Sequence, residues 1–329
     1  MTASPGMVLI TGWPLLPPAE AHLGDAGFTI VQSSPNPGQA ELIALLAENR
    51  PVGLVVRSGI IDRACFEAAP DLKVIASHGA GYDDIDVAEA TRRGIPVFAA
   101  PGRNAVSVAE HVFALLLAVR KRTLHHDKLV RSGDWRPAVP QTAELSGRTM
   151  GIVGFGAIGE RVAALAAAFG MRVVAVDPER TCPFPRQIVQ SATLGGLLEE
   201  SDVVSLHVPL TDATRNMIDA AALAHMKQGA ILINAARGGI VDEEALVDAI
   251  DSGHLFGAGL DTFAEEPPGE SSVVAHCDGI VLSPHIAGVT PESAQRMSMC
   301  CAENVVQFLV DGTCSDDLVN DSWDVLRRI

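Results

Sequence analysis

The sequence predicts an α/β fold of two doubly wound, parallel-sheet (Rossmann-like) domains, one inserted into the other, on three observations. Short apolar runs alternate with segments of helical spacing over the first hundred residues. The same alternation restarts at Met150 and continues to about residue 289. The second series opens on a glycine-rich turn, GFGAIG, set between an apolar run and an alanine-rich helical segment. With 329 residues, 48% apolar and 19% charged, the chain can bury two sizeable cores.

In the first series the candidate strands are residues 7–12, 28–32, 52–56, 73–77 and 95–100. Residues 38–50 and 86–94 between them have helical spacing. No glycine-rich phosphate loop occurs here, so this is not the expected cofactor domain. A long helix is predicted over 104–121, burying Ala109, Val112, Phe113, Leu116 and Leu117 on one side. The segment RTLHHDKLVRSGDWRP that follows is polar, and reads as an arm on the surface or against a second subunit. The second series contributes the strands TMGIVGFG, MRVVAVD, VVSLHVP, AILINAA, FGAGLD and GIVLSP. A last apolar-periodic helix, about 291–309, is expected to pack back on the first domain. The expected division is residues 1–100 with 290–329 as the substrate domain and 101–289 as the dinucleotide domain.

Bulk properties exclude several function classes. A net charge of −16 argues against a nucleic-acid partner, whose affinity rests on phosphate neutralisation. The longest uncharged apolar run, HVFALLLAV, is too short to span a bilayer, and MTASPGMVLITG lacks the basic segment of a secretory signal. The cysteines, at positions 65, 182, 277, 300, 301 and 314, contain no C-x-x-C pair and no recurring spacing. Neither a disulfide framework nor a metal site is expected, and a cytoplasmic location is.

In GFGAIG, Gly154 permits the tight turn, Gly156 lets backbone approach a pyrophosphate, and Gly159 allows close helix–strand packing. Ala157 and Ile158 complete the loop where the helix N-terminus offers unpaired amides to phosphate. Asp177 lies 18 residues past Gly159, where a carboxylate accepts from ribose hydroxyls and repels a 2′-phosphate. That favours NAD over NADP, and Arg180 nearby weakens the preference a little. Taken alone, the glycine pattern fits many turns and other nucleoside-binding enzymes; the full βαβ context is what points to a dinucleotide.

Downstream, Arg237, Glu266 and His285 each follow a predicted strand, separated by 29 and 19 residues. An Arg can orient a carboxylate, a His can move a proton, and a Glu can set the state of that His. Each has an ordinary reading as well: a helix-capping Arg, a strand-ending Glu, a structural His.

Seven stretches in one order make the chain resemble the D-isomer-specific 2-hydroxyacid dehydrogenases: SHGAGYDDID, NAVSVAEH, GIVGFGAIG, VVSLHVPLTDATRNMID, MKQGAILINAARGGIVDEEAL, GAGLDTFAEEPP and SPHIAGVT. They cover residues 77–290; the first fifty residues and those after about 310 carry no diagnostic match. The resemblance implies that Arg237 binds the substrate carboxylate and its carbonyl or hydroxyl oxygen. It makes His285 the general acid in reduction and base in oxidation, with Glu266 fixing its tautomer. It implies that Val208 and Pro209 line the adenosine pocket, that Thr214, Ala235 and Asp261 contact the phosphates or nicotinamide, and that Ala287 stands where many relatives have Gly. For the substrate it points to the amides of Ala80 and Gly81, and to Arg57 and Ser58 at the distal end. Arg57 is equally compatible with a surface position.

The activity implied is NAD-dependent interconversion of a short D-2-hydroxy acid and its 2-keto partner. Formate enzymes of this fold pair the His with Gln, which Glu266 argues against. An NAD(H)-sensing protein of the corepressor type is the alternative from another class. Relatives form homodimers through the helix and arm that here would be about 104–140. His207 and His78 are read as structural or pocket-edge residues.

Overall fold

The computed structural model describes residues 6–135 and 142–320. The chain divides into two compact units, Met1–Asn104 with Val289–Ile329, and Ala105–Gly288.

The first unit runs β1 (Met7–Ile10), α1 (Pro17–Asp25), β2 (Thr29–Gln32), α2 (Gln39–Asn49), β3 (Gly53–Val56), α3 (Arg63–Ala68), β4 (Val74–Ser77), α4 (Val87–Arg92) and β5 (Val97–Phe98). Its strands are all parallel, in the order β2-β1-β3-β4-β5. Successive side chains of a strand point to opposite faces, and both faces here are covered. Leu9, Leu54 and Ile75 meet Leu42, Leu46 and Phe66 on one side. Val8, Ile10, Val55 and Val74 meet Ala19 and Leu23 on the other. Asp62 and Asp86 start α3 and α4 by accepting from the amides of Cys65 and Glu89.

The second unit opens with α5 (Ala105–Arg120) and α6 (Thr123–Arg131). It continues β6 (Thr149–Val153), α7 (Ala157–Ala168), β7 (Arg172–Val176), β8 (Val189–Gln190), α8 (Leu194–Glu200), β9 (Val203–Leu206), α9 (Ala220–His225), β10 (Ile231–Asn234), α10 (Glu243–Asp251), β11 (Gly257–Leu260) and β12 (Ile280–Leu282). The parallel sheet has the order β12-β11-β10-β9-β6-β7-β8. The direction of winding therefore reverses between β6 and β9, which opens a crevice at the carboxyl ends of the strands. Val108, Val112, Leu115 and Leu116 bury α5 against Ile231 and Ile233 of the sheet.

Finally α11 (Pro291–Val306) belongs again to the first unit, where Cys301, Ala302 and Val305 join the core of β1 and β4. Thr290 and Ser293 close a capping box at its start.

The two expected parallel sheets are present. Differences lie in the segments with the weakest apolar signal. The polar stretch after α5, expected as an arm, carries a helix over Thr123–Arg131 with no buried residue, a shape periodic burial cannot reveal. Residues 136–140 of the expected arm lie outside the described residues. Helix α1 starts on Pro17, whose missing N–H is harmless in a first turn. Among the described residues no helix is long and apolar enough to cross a membrane.

Candidate active site

Three loops at the carboxyl ends of β10, β11 and β12 carry the candidate catalytic side chains. Arg237 follows β10 in extended backbone, and its loop is braced from inside: Asn234 Nδ2 donates to the Arg237 carbonyl at 2.8 Å. The next residue, Gly238, lies directly on the Phe263–Ala264 peptide, where a Cβ would fall 1.8 Å from the Phe263 carbonyl carbon. Only Gly lets the Arg237 loop sit that close to the loop bearing Glu266.

Glu266 accepts from the Phe263 amide at Oε1 (3.0 Å) and from His285 Nδ1 at Oε2 (2.6 Å). The second bond fixes the imidazole tautomer and leaves Nε2 as the nitrogen able to exchange a proton. The His285 pKa is raised, chiefly by the Glu266 hydrogen bond and against the opposing effect of burial. Burial pushes the Glu266 carboxyl up, but the bonds from His285 and the Phe263 amide outweigh it and hold the group below its ordinary value. The positive charge of Arg237 acts on both, lowering each. Arg237, Glu266 and His285 thus form one electrostatic unit, with the His285 side chain half exposed.

His285 has a left-handed backbone, φ +53°, and the loop that imposes it is anchored on Asp261. That carboxylate is fully buried and accepts from Ser283 Oγ (2.6 Å) and the amides of Ile286 (3.0 Å) and Ala287 (2.8 Å). The Asp261 carbonyl takes the His285 amide at 2.8 Å. Ser283 spends its one proton on Asp261, so His111 Nε2, 2.7 Å from the same hydroxyl, must be the donor to it. Asp261, expected as a nicotinamide contact, has its carboxylate engaged by Ser283 and by the Ile286 and Ala287 amides, which anchors the loop bearing His285. Ser283 and His111 had no signal of their own in the sequence, because neither residue type at those positions departs from ordinary helix and loop usage.

The dinucleotide crevice is built around Gly154, Gly156 and Gly159. Gly154 has φ +89°, and a Cβ there would come 2.5 Å from the His207 carbonyl oxygen. A Cβ on Gly159 would come 2.4 Å from the Gly154 carbonyl oxygen, whereas Gly156 faces open space. Gly156 is the N-cap of α7 and offers no side chain to the first-turn amides, which Ala157 and Ile158 carry onward. These donors, with the favourable dipole end, fit the phosphates of a dinucleotide. Asp177 ends β7 beside the loop and accepts from the amides of Phe155 (2.8 Å) and Glu179 (3.1 Å). Val208 and Pro209 follow β9, Ala235 follows β10, and Thr214 is tied back to the Pro209 carbonyl at 2.6 Å. Ala287 is buried.

His207 is sealed at its ring Nδ1, although part of the residue reaches solvent, and that nitrogen has no hydrogen-bond partner. Burial pulls its pKa down to about 3. The ring is neutral in any ordinary buffer and holds Ser205 Oγ at 2.9 Å.

In the first unit, strand order reverses between β1 and β3, and the loops there interlock. Thr11 Oγ1 donates to the Ser58 carbonyl at 2.6 Å and accepts from the Arg57 amide at 3.1 Å. Arg57 Nη1 turns to the Trp13 carbonyl at 2.9 Å and to the Pro14 carbonyl. Ala80 and Gly81 lie half buried just past β4, with the Gly81 carbonyl held by Ser77 Oγ at 2.7 Å. His78 packs on Ser298 Oγ at 3.0 Å, its pKa taken down to about 3 by burial and by the charge of Arg57.

Residues 113–287 match the family model for the D-isomer specific 2-hydroxyacid dehydrogenase NAD binding domain. The chain is 43% identical over 265 residues to the glyoxylate reductase of Korarchaeum cryptofilum, covering 79% of this chain and 80% of that one. To the hydroxypyruvate reductase of Thermotoga maritima it is 40% identical over 259 residues, 78% of this chain and 84% of the other. Among solved structures it is similar to the D-lactate dehydrogenase of Aquifex aeolicus complexed with NAD and lactic acid. There the TM-score is 0.80 at 31% identity, over 93% of this chain and 96% of that one.

The chain belongs to the D-isomer-specific 2-hydroxyacid dehydrogenase family. It is an oxidoreductase that works with a nicotinamide cofactor, and its second unit is the domain that binds it.

Proposed function

We propose that this family member interconverts a short 2-keto acid and the corresponding D-2-hydroxy acid with NAD(H). Glyoxylate and hydroxypyruvate are its first candidate substrates, on which relatives at 43% and 40% identity are named to act. The observation that carries the reading is the His285–Glu266 pair at 2.6 Å, with Arg237 acting on both members. When bound, the nicotinamide supplies or accepts the hydride.

The rest is the work of the chain's own residues. Arg237 orients the substrate carboxylate through its planar fork and polarises the oxygen at C2. His285, its imidazolium form favoured by Glu266, delivers the Nε2 proton to that oxygen in reduction and takes it back in oxidation. Asp261, Ser283 and His111 hold the loop so that the ring meets its target without reorganising. Asp177 favours NAD by accepting from ribose hydroxyls and opposing a 2′-phosphate. In the first unit we assign Ala80 and Gly81 to the substrate carboxylate and Arg57 and Ser58 to its distal end. A homodimer and a cytoplasmic setting complete the reading.

The test is a kinetic panel of glyoxylate, hydroxypyruvate, phosphohydroxypyruvate and larger 2-keto acids with NADH and NADPH. Turnover of the two-and three-carbon keto acids with NADH is expected. NADH binding with no turnover on any member would replace this reading with an NAD(H) sensor.

A further inference from the structure

We propose that Glu160, in the first turn of α7, sets the cofactor preference of this chain by locking Arg180 out of use as a phosphate receptor. The inference rests on the NAD reading above and adds the residue that enforces it.

Arg180 stands three residues past Asp177, at the ribose edge of the dinucleotide crevice. A free guanidinium there would suit a 2′-phosphate, since its planar fork matches a phosphate's oxygens and its charge never titrates. By sequence alone it counts against NAD. Its surroundings disarm it. Nη1 donates to the Phe155 carbonyl at 2.5 Å, inside the glycine loop, and Nη2 donates to Glu160 Oε1 at 2.9 Å. The guanidinium carbon lies 5.1 Å from the centre of the Phe155 ring and 5.3 Å from that of Phe184, so aromatic faces hold the plane. Nε is buried with no hydrogen-bond partner, a cost the side chain bears only because its other contacts hold it in place. The Arg180 side chain is 15% exposed and that of Glu160 49%, so the acid closes the pair from the solvent side.

Charge makes the same argument. Asp177 already spends part of its field on the amides of Phe155 and Glu179, which softens its repulsion of an incoming phosphate. Glu160 adds a second carboxylate and neutralises the Arg180 guanidinium. The ribose edge is thereby left net negative: acceptable to a neutral 2′-hydroxyl, unfavourable to a phosphate carrying about two charges. Removing Glu160 reverses both effects at once, freeing Nη2 and deleting a negative charge.

The experiment measures NADH and NADPH dissociation constants on the full chain by nicotinamide fluorescence, without substrate, so that binding is read apart from catalysis. The variants are Glu160→Ala, Glu160→Gln and the double variant Glu160→Ala with Arg180→Ala. The wild type should bind NADH more tightly. Glu160→Ala should strengthen NADPH about tenfold and hold NADH within about twofold, the scale of one partly screened charge contact. Glu160→Gln should give a smaller gain of the same sign, and the double variant should lose the gain. Unchanged NADPH affinity in both single variants overturns the proposal. So does a gain that survives in the double variant, because the lost charge alone would then explain it. Loss of NADH binding in Glu160→Gln would show a structural role and overturn it as well. A wild type that binds NADPH more tightly than NADH overturns the NAD reading itself, a separate result.

Discussion

His285 and His207 both follow strands of the second unit's sheet, one past β12 and the other past β9. His285 is half exposed and bonded through Nδ1 to a carboxylate, and its pKa is raised. His207 has a sealed Nδ1 with no partner, and its pKa falls to about 3. The same side chain has its pKa raised in one place and lowered in the other. Position at a strand end does not separate them; the presence of a hydrogen-bonded carboxylate does. Glu266 stabilises the charged ring, whereas at His207 desolvation stands alone.

Exchanging or removing these environments tests the contrast, with the largest effect at His285. Replacing it with Ala should lower turnover by roughly 10²–10⁴-fold, the usual worth of a positioned acid–base group. NADH affinity, read by fluorescence titration, should stay nearly constant. Turnover within a few-fold of wild type would remove the assignment.

Glu266→Gln comes next, with an expected loss of about 10–100-fold in turnover and a displaced pH profile. Reduction needs imidazolium, so its rate falls as pH rises through the raised pKa of His285. Without the carboxylate that pKa drops, and the alkaline limb should move to lower pH. In oxidation neutral His285 is the base, and the acid limb should move the same way. An unmoved profile would mean that Glu266 acts only through packing. The pair also contributes to stability. The His285 share is fully present below the unfolded value near ~6.5 and is lost as pH rises through the raised folded value.

The smallest effect on catalysis, and an opposite one on stability, is expected at His207. Its folded pKa is depressed, so the unfolded chain protonates first and stability drains away as pH falls from ~6.5 toward 3. His78 in the first unit acts in the same direction, with its own value near 3. His207→Gln should leave turnover within about twofold and move the acid unfolding midpoint, followed by circular dichroism, to lower pH. A turnover loss comparable to that of His285→Ala would erase the distinction between the two rings.

Much of this architecture was legible because it is local. Strand runs such as ILIN and GLVV, the helical spacing of 105–120 and the glycine turn at 154–159 are set by residues near each other in the chain. Arg237, Glu266 and His285, each ordinary alone, stood out together because each follows a predicted strand and their spacing matches the family resemblance. Asp261 shows the limit. The resemblance implied a nicotinamide contact for it, whereas its place as anchor, with the carboxylate turned to Ser283, Ile286 and Ala287, 22 to 26 residues away, was not legible. Arg180 shows it again: its proximity to Asp177 was legible, its sequestration by Glu160 and two phenyl rings was not.

The sequence by itself determined the order of elements, the two-sheet class and the dinucleotide turn, and it singled out the residues proposed to handle the proton. These follow from periodicity, turn chemistry and side-chain type, which are properties of short windows. Tertiary structure alone decided which histidine has its pKa raised, which aspartate is an anchor and which arginine is disarmed. Those outcomes depend on burial and on partners brought together by strand register, and a pKa or a hydrogen bond responds to distances of a few ångströms that spacing along the chain does not specify.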